Sequence, residues 1–329
     1  DKYIEDIILK RDLYNIVDEI FGKLNASHLG IWGEREKPHN TKYETGYFGA
    51  ELDNNLVVKE LLDLSSIVKK VSKNDRLLAV EGRKINGLKE LDKKLTGKAN
   101  KKLNLLFENA GSIEIELKTR KHFHDIYIKE KDIEKKRFVK RKSNNKLVYI
   151  HLHKMNDKNL KKFKDEIASF GSDKKGLILD IRNNSGGNIA KDILGILKRD
   201  VYAYSKRRYF NELTEEPTGY SWSKPVVVLI NEKSFSNAEI FPLGFKNLKR
   251  GKVIGIPTAG GVIGTYHTTL MDGTNFRLPH VKWLTLDKKN MENMGVEPDI
   301  FIENHPEDIL NGKDPQLDKA IEVIMKQIK

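Results

Sequence analysis

Val226-Val227-Val228-Leu229-Ile230-Asn231-Glu232-Lys233-Ser234-Phe235-Ser236-Asn237-Ala238-Glu239-Ile240 is the stretch on which the fold turns. Its opening run of aliphatic residues has no polar face, the pattern of a strand buried on both sides of a parallel sheet. Polar turn formers follow, and then a helical pattern over residues 238–249. A serine at such a strand-to-helix turn can project into a cleft. There the first-turn amides and the helix dipole favour negative charge. Ser236 also reads as a plain helix N-cap, with Glu239 completing a capping box. From this segment alone both readings stand.

Working outward, the same texture recurs. Residues 147–152, 176–181, 225–230 and 252–256 are short apolar runs, and helical patterns lie at 159–170 and 189–199. Strands alternating with helices imply an α/β domain. Residues 202–218 break the pattern and are expected to be an exposed loop near the site. Leu179-Asp180-Ile181-Arg182-Asn183-Asn184-Ser185-Gly186-Gly187-Asn188 follows one strand and opens a helix. Its paired glycines let backbone amides approach a ligand closely. The segment lacks both G-x-x-x-x-G-K-[ST] and G-x-G-x-x-G, so a phosphate-binding loop is not indicated.

Upstream, Ile4, Ile7, Ile8, Tyr14, Val17, Ile20, Phe21 and Leu24 recur at near-helical spacing and predict an amphipathic helix over residues 3–24. Asn25-Ala26-Ser27-His28 then falls in a turn, where His28 alone would read as a cation beside a helix C-terminus. Residues 43–120 predict a compact β-rich module with strands near 56–58, 77–80, 103–107 and 113–117 and a short helix at 87–95. The highly charged 125–145 reads as a helix or connector.

The chain has 329 residues, a formal net charge of +13 and no cysteine. The length suits two or three domains. Lysines are interleaved with acids along the whole chain, so a solvated surface explains the charge without a nucleic-acid partner. The absence of cysteine excludes disulfides, thiolate metal sites and a cysteine nucleophile. His122, His124, His151, His153, His267 and His280 are further histidines. His151 and His153 share a strand face, but a metal site would need more ligands of the right type converging there, so neither a metal nor a cofactor is expected. No apolar run is long enough to span a membrane. The sequence starts at Asp1 without a signal peptide, as a processed or truncated chain would, and leaves cytoplasmic and exported locations open.

Taken together, Asp180-x-Arg182-x-Asn184-x-Gly186-Gly187, Ser236-Asn237-Ala238-Glu239, residues 255–261, Gly295-Val296-Glu297-Pro298-Asp299 and Asp314-Pro315-Gln316-Leu317-x-x-Ala320 resemble the carboxyl-terminal processing proteases over about residues 147–329. Those proteases activate their serine with a lysine, and Gly261 stands at that position here. The tricorn branch instead uses a histidine in a Ser-His motif, which Ser27-His28 resembles. Leu29-Gly30-Ile31-Trp32-Gly33 and Phe241-Pro242 are similar to that branch too. Gly46-Tyr47-Phe48-Gly49 and Asp75–Gly82 resemble the carboxylate loop and signature strand of a circularly permuted PDZ domain, with Asn74 where the signature has glycine.

The resemblance implies an α/β multidomain architecture. It has an N-terminal helical segment (1–40), a PDZ-like β-rich domain (41–124) and a ClpP/crotonase-like α/β serine protease domain (125–329). It also implies the site roles. Ser236 is the nucleophile and His28 its base. Glu292, with Glu297 as the nearby rival, acts on His28 through Ser27, although Ser27 also reads as a simple turn residue. The amides of Gly187 (or Gly186) and Asn237 form the oxyanion hole. Asn237 departs from the aspartate of the tricorn branch, but only its backbone is needed. The expected activity is hydrolysis of oligopeptides or unfolded polypeptides through an acyl-enzyme, with homo-oligomerisation left open. A catalytically inactive peptide-binding protein on the same scaffold is the alternative.

Overall fold

The computed structural model describes residues 3, 7–33, 44–170, 173–198, 201–206, 213–217 and 221–328. The chain divides into two compact units, Asp1–Glu34 with Lys136–Lys329, and Arg35–Lys135. It begins with helix α1 (Lys10–Lys23) and strand β1 (Gly30–Trp32). The smaller unit then holds β2 (Ala50–Leu52), β3 (Val58–Leu61), β4 (Leu77–Val80), β5 (Arg83–Lys84), α2 (Leu88–Leu95), β6 (Lys102–Phe107) and β7 (Gly111–Glu116). Helix α3 (Arg120–Lys142) carries the chain onward. The larger unit continues with β8 (Leu147–His151), α4 (Asp157–Phe170), β9 (Gly176–Asp180), α5 (Ala190–Lys198), β10 (Val201–Lys206) and β11 (Leu213–Pro217). It closes with β12 (Val226–Ile230), α6 (Asn237–Asn247), β13 (Lys252–Gly255), β14 (Ile263–Thr269), β15 (Asn275–Lys282), β16 (Ile300–Phe301), α7 (Pro306–Leu310) and α8 (Pro315–Gln327).

The four apolar runs become β8, β9, β12 and β13 of a five-stranded parallel sheet in the order β16-β13-β12-β9-β8, with β16 as an added edge strand. Each central strand is buried on both faces because its side chains alternate between two cores. Ile150, Leu179, Val226 and Val228 pack with Phe163 of α4, Ile193 of α5 and Phe241 and Phe245 of α6. Tyr149, Ile178, Val227 and Leu229 pack on the opposite side with Leu317, Ile321 and Ile324 of α8. Helix α8 is also tied at its start. Arg182 forms a paired contact with Asp314 (2.8 and 2.9 Å) while holding Asp180 on its other side. Burial opposes that guanidinium's charge, but Asp180 and Asp314 outweigh it and keep its pKa above the ordinary value.

A second, antiparallel sheet has the order β1-β15-β14. Helix α1 lies against it: the Tyr14 hydroxyl bonds Thr274 Oγ1 at 3.1 Å, and the Phe21 ring meets Phe276 edge-on. The helix starts at Lys10, later than periodicity predicts, and Ile4 lies outside the described residues. Residues 30–32, read only as sequence beyond the helix, are a strand because β15 supplies their partner. The expected loop at 202–218 is corrected as well. Its described parts are the two antiparallel strands β10 and β11, whose ladder overrides a sequence of mixed polarity. Residues 207–212 and 218 lie outside the described set.

The smaller unit has a four-stranded sheet, β5-β4-β6-β7, beside the β2-β3 pair. Phe48, Val58, Ile67, Leu77, Leu105, Phe107 and Leu117 fill its core. Asn74 has φ +72°, the left-handed region that glycine tolerates best and asparagine next. That accounts for asparagine at a glycine position. The next residue, Asp75, is buried and its carboxylate accepts the amides of Arg76, Asn109 and Ala110 at 2.8–3.0 Å. Among the described residues no helix is long and apolar enough to cross a membrane.

Candidate active site

Ser236 joins β12 to α6 with φ +58° and ψ −119°. An ordinary N-cap residue has extended backbone and accepts a first-turn amide with its side chain. Ser236 does neither: the backbone is strained and the side chain makes no capping hydrogen bond. Strained positive-φ geometry at a strand-to-helix turn is how a nucleophile is lifted clear of the backbone.

Two features hold the turn. Glu239, fully buried, accepts the Ser236 amide at 2.9 Å, as the capping-box pattern predicts. The same carboxylate also accepts Thr258 Oγ1 (2.6 Å) and the amides of Gly260 (2.6 Å) and Gly261 (2.9 Å). On the other side, a Cβ at Gly186 would stand 2.8 Å from Ser236 Cβ and 2.7 Å from the Phe235 carbonyl. Only glycine allows this approach, and Gly186 also has φ +88°. The Gly186 amide is taken up by Asn184 Oδ1 at 2.9 Å. Among the described residues the amides of Gly187 and Asn237 have no such acceptor. The Asn237 side chain is buried and caps α5 by accepting the Ala190 amide at 2.8 Å.

His28 follows α1 with φ +64°, and its ring packs on Phe235 at 4.5 Å between centroids. The base candidate thus lies beside the residue that precedes Ser236. Its Nε2 is buried and has no hydrogen-bond partner among the described residues, so Ser236 Oγ is not bonded to it here. Glu292 is buried and accepts the Ser27 amide (2.5 Å) and the Val262 amide (2.6 Å). Its contact to Ser27 therefore runs through the backbone; among the described residues Ser27 Oγ has no partner. Glu297 is exposed, and its carbonyl accepts from Lys246.

Residues 146–302 match peptidase family S41. The tricorn protease of Thermoplasma acidophilum is 35% identical over 196 residues, covering 59% of this chain and 18% of its own length. That of Thermoplasma volcanium is 29% identical along all of this chain and 33% of its own length. A crystal structure of the tricorn protease superposes on 98% of this chain with a TM-score of 0.78 at 26% identity, again over 33% of its own length.

Just under half of the chain, residues 146–302, is thus similar to peptidase family S41. The chain spans a third or less of the curated relatives named above.

Gly261, where the sequence resemblance to the processing proteases expects a lysine, has a steric reason in the structure to be a glycine. A Cβ at Gly261 would be 2.0 Å from Phe235 Cε2. The Phe235 ring takes the room a side chain at 261 would need and offers its face to His28 instead. Sequence reading did not single out Phe235. It also missed Arg277 on β15, whose Nη2 donates to His28 Nδ1 at 2.8 Å. Nothing around Arg277 marks it in sequence, because its neighbour in space is set by the pairing of Gly30 with Arg277 across β1 and β15.

The electrostatics of His28 follow from these contacts. Burial lowers its pKa, and the Arg277 charge lowers it further; Glu292 and the Gly261 backbone pull the other way without restoring it. The histidines of β8 and its exit are engaged elsewhere: His151 Nε2 lies 3.2 Å from the Arg182 carbonyl and its ring contacts His153.

Proposed function

We propose that the chain is a serine peptidase that cleaves oligopeptides or unfolded polypeptides through an acyl-enzyme on Ser236. The strained backbone of Ser236 carries this reading, since an idle N-cap has no reason to sustain it. Ser236 Oγ attacks the scissile carbonyl carbon and its proton passes to His28 Nε2. The Gly187 and Asn237 amides stabilise the tetrahedral oxyanion. Collapse returns the proton to the leaving amine, and water repeats the sequence to release the acid. Glu292 is a positioning residue, holding the Ser27–His28 turn through the Ser27 amide. Its burial and contact favour it over exposed Glu297 for that role. Turnover of an unstructured peptide library, read by mass spectrometry, tests the reading. Cleavage that disappears in Ser236→Ala supports it; cleavage that survives in Ser236→Ala refutes it.

We further read the smaller unit as PDZ-like. Gly49 and Tyr47 of the glycine-flanked loop, with Ala50 and Glu51 of β2, help line a cavity of about 350 Å³ that Phe123 and His124 of α3 complete. Such a cavity beside a short strand suits an extended peptide. It keeps alive a second reading, peptide binding without chemistry, which the unbonded His28 Nε2 also favours. Peptide binding by calorimetry with no cleavage under any condition would select it.

A further inference from the structure

Among the described residues, three buried side-chain polar atoms lack a hydrogen-bond partner, and two of them are Ser27 Oγ and His28 Nε2. Buried polar atoms are nearly always satisfied, so two neighbouring orphans mark an arrangement with an alternative. The contact that separates the two states is Arg277 Nη2 to His28 Nδ1, at 2.8 Å. A guanidinium has no acceptor and keeps its protons. Nδ1 must therefore present a lone pair, and the hydrogen of the neutral ring sits on Nε2. A ring protonated at Nε2 cannot take the proton of Ser236.

The arginine is well held in this pose. Its Nε donates to Thr265 Oγ1 at 2.8 Å, and its strand position opposite Gly30 fixes its root beside the His28 turn. The groups facing the ring are Arg277 from β15, the Glu292 carboxylate from the turn after Asn290, the Phe235 ring and the Gly261 backbone. None of them accepts from Nδ1 while Arg277 occupies it.

Building on the Ser236–His28 reading, we propose that Arg277 is a latch on the base. It holds His28 in the tautomer with the hydrogen on Nε2. The working state forms when the guanidinium leaves Nδ1, which then takes a proton from solvent as Nε2 releases one, and Nδ1–H turns to Ser27 Oγ. Both orphans are then satisfied, Ser27 Oγ by His28 Nδ1–H and His28 Nε2 by the Ser236 hydroxyl. Breaking one charge-assisted hydrogen bond makes the working state the minor one, and apparent activity falls by its population. Removing the latch raises kcat/KM on the plateau about tenfold to a hundredfold.

The test has two parts. Ser236→Ala protein labelled with ¹⁵N-histidine is examined by NMR, with His28→Ala used to assign the ring signals. A pyrrole-type Nε2 and pyridine-type Nδ1 at neutral pH are expected, with the reverse in an added Arg277→Met. In parallel, kcat/KM for an unstructured peptide is measured across pH. Arg277→Met is expected to raise the plateau and move the acid limb to higher pH, since a positive charge beside the ring is gone. Thr265→Val, which frees the guanidinium without removing it, is expected to raise the plateau less. A wild-type ring already protonated at Nδ1 overturns the latch, as does an Arg277→Met plateau equal to or below wild type while His28→Ala is inactive. An active His28→Ala enzyme would instead overturn the base assignment, and the latch with it.

Discussion

At the scale of single residues, the account rests on Ser236 and His28. Ser236→Ala and His28→Ala should each lower kcat/KM by roughly 10⁴-fold or more while leaving the thermal midpoint nearly unchanged, because neither hydroxyl nor ring carries the core. Thermal melts alongside kinetics check this. The pH dependence has a definite sign. Only the neutral ring can accept a proton, and burial and Arg277 both disfavour the charged ring. Wild-type activity should therefore persist below the ordinary histidine value of about 6.5 and be lost as pH falls through the depressed pKa. An acid limb at or above that value would contradict the electrostatics. Ser27-His28, Ser236 and Glu292 could be nominated from the sequence because short motifs carry them. The through-backbone form of the Glu292 contact was not, since a motif names residue types and not which atom of the neighbour they meet.

At the scale of elements, the turn between β12 and α6 is held by its neighbours more than by itself. Gly186→Ala places a methyl within 3 Å of the Phe235 carbonyl and Ser236 Cβ at φ +88°. It should abolish cleavage and cost about 2 kcal/mol or more of stability, read by urea unfolding. Gly261→Lys should fail to rescue His28→Ala, since Phe235 occupies the space its stem would need. Strands β8, β9, β12 and β13 and helices α4, α5 and α6 were legible from the sequence pattern, while the two-residue β16 was not. Strands β14 and β15 were not. They are partly exposed, carry a mixed pattern with Pro279 inside β15, and are fixed by pairing with each other and with β1. Arg277 was hidden for the same reason.

At the scale of the whole molecule, the motif at 180–187 and the closing motif at 314–320 turn out to be one structural device. Arg182 joins β9 to the start of α8 through buried Asp180 and half-buried Asp314. Arg182→Met leaves two carboxylates without their cation and should destabilise the larger unit by about 3–5 kcal/mol, read by calorimetry. The smaller unit, with its own core, should show a cooperative thermal transition when residues 35–135 are produced alone. The central claim, an activated serine at 236 driven by His28, is tested most directly by a fluorophosphonate probe with mass-spectrometric mapping of the adduct. The account predicts a single adduct on Ser236 in wild type, formed faster in Arg277→Met and absent in Ser236→Ala and His28→Ala. An adduct on another residue, undiminished labelling in His28→Ala, or no labelling of either wild type or Arg277→Met would contradict it.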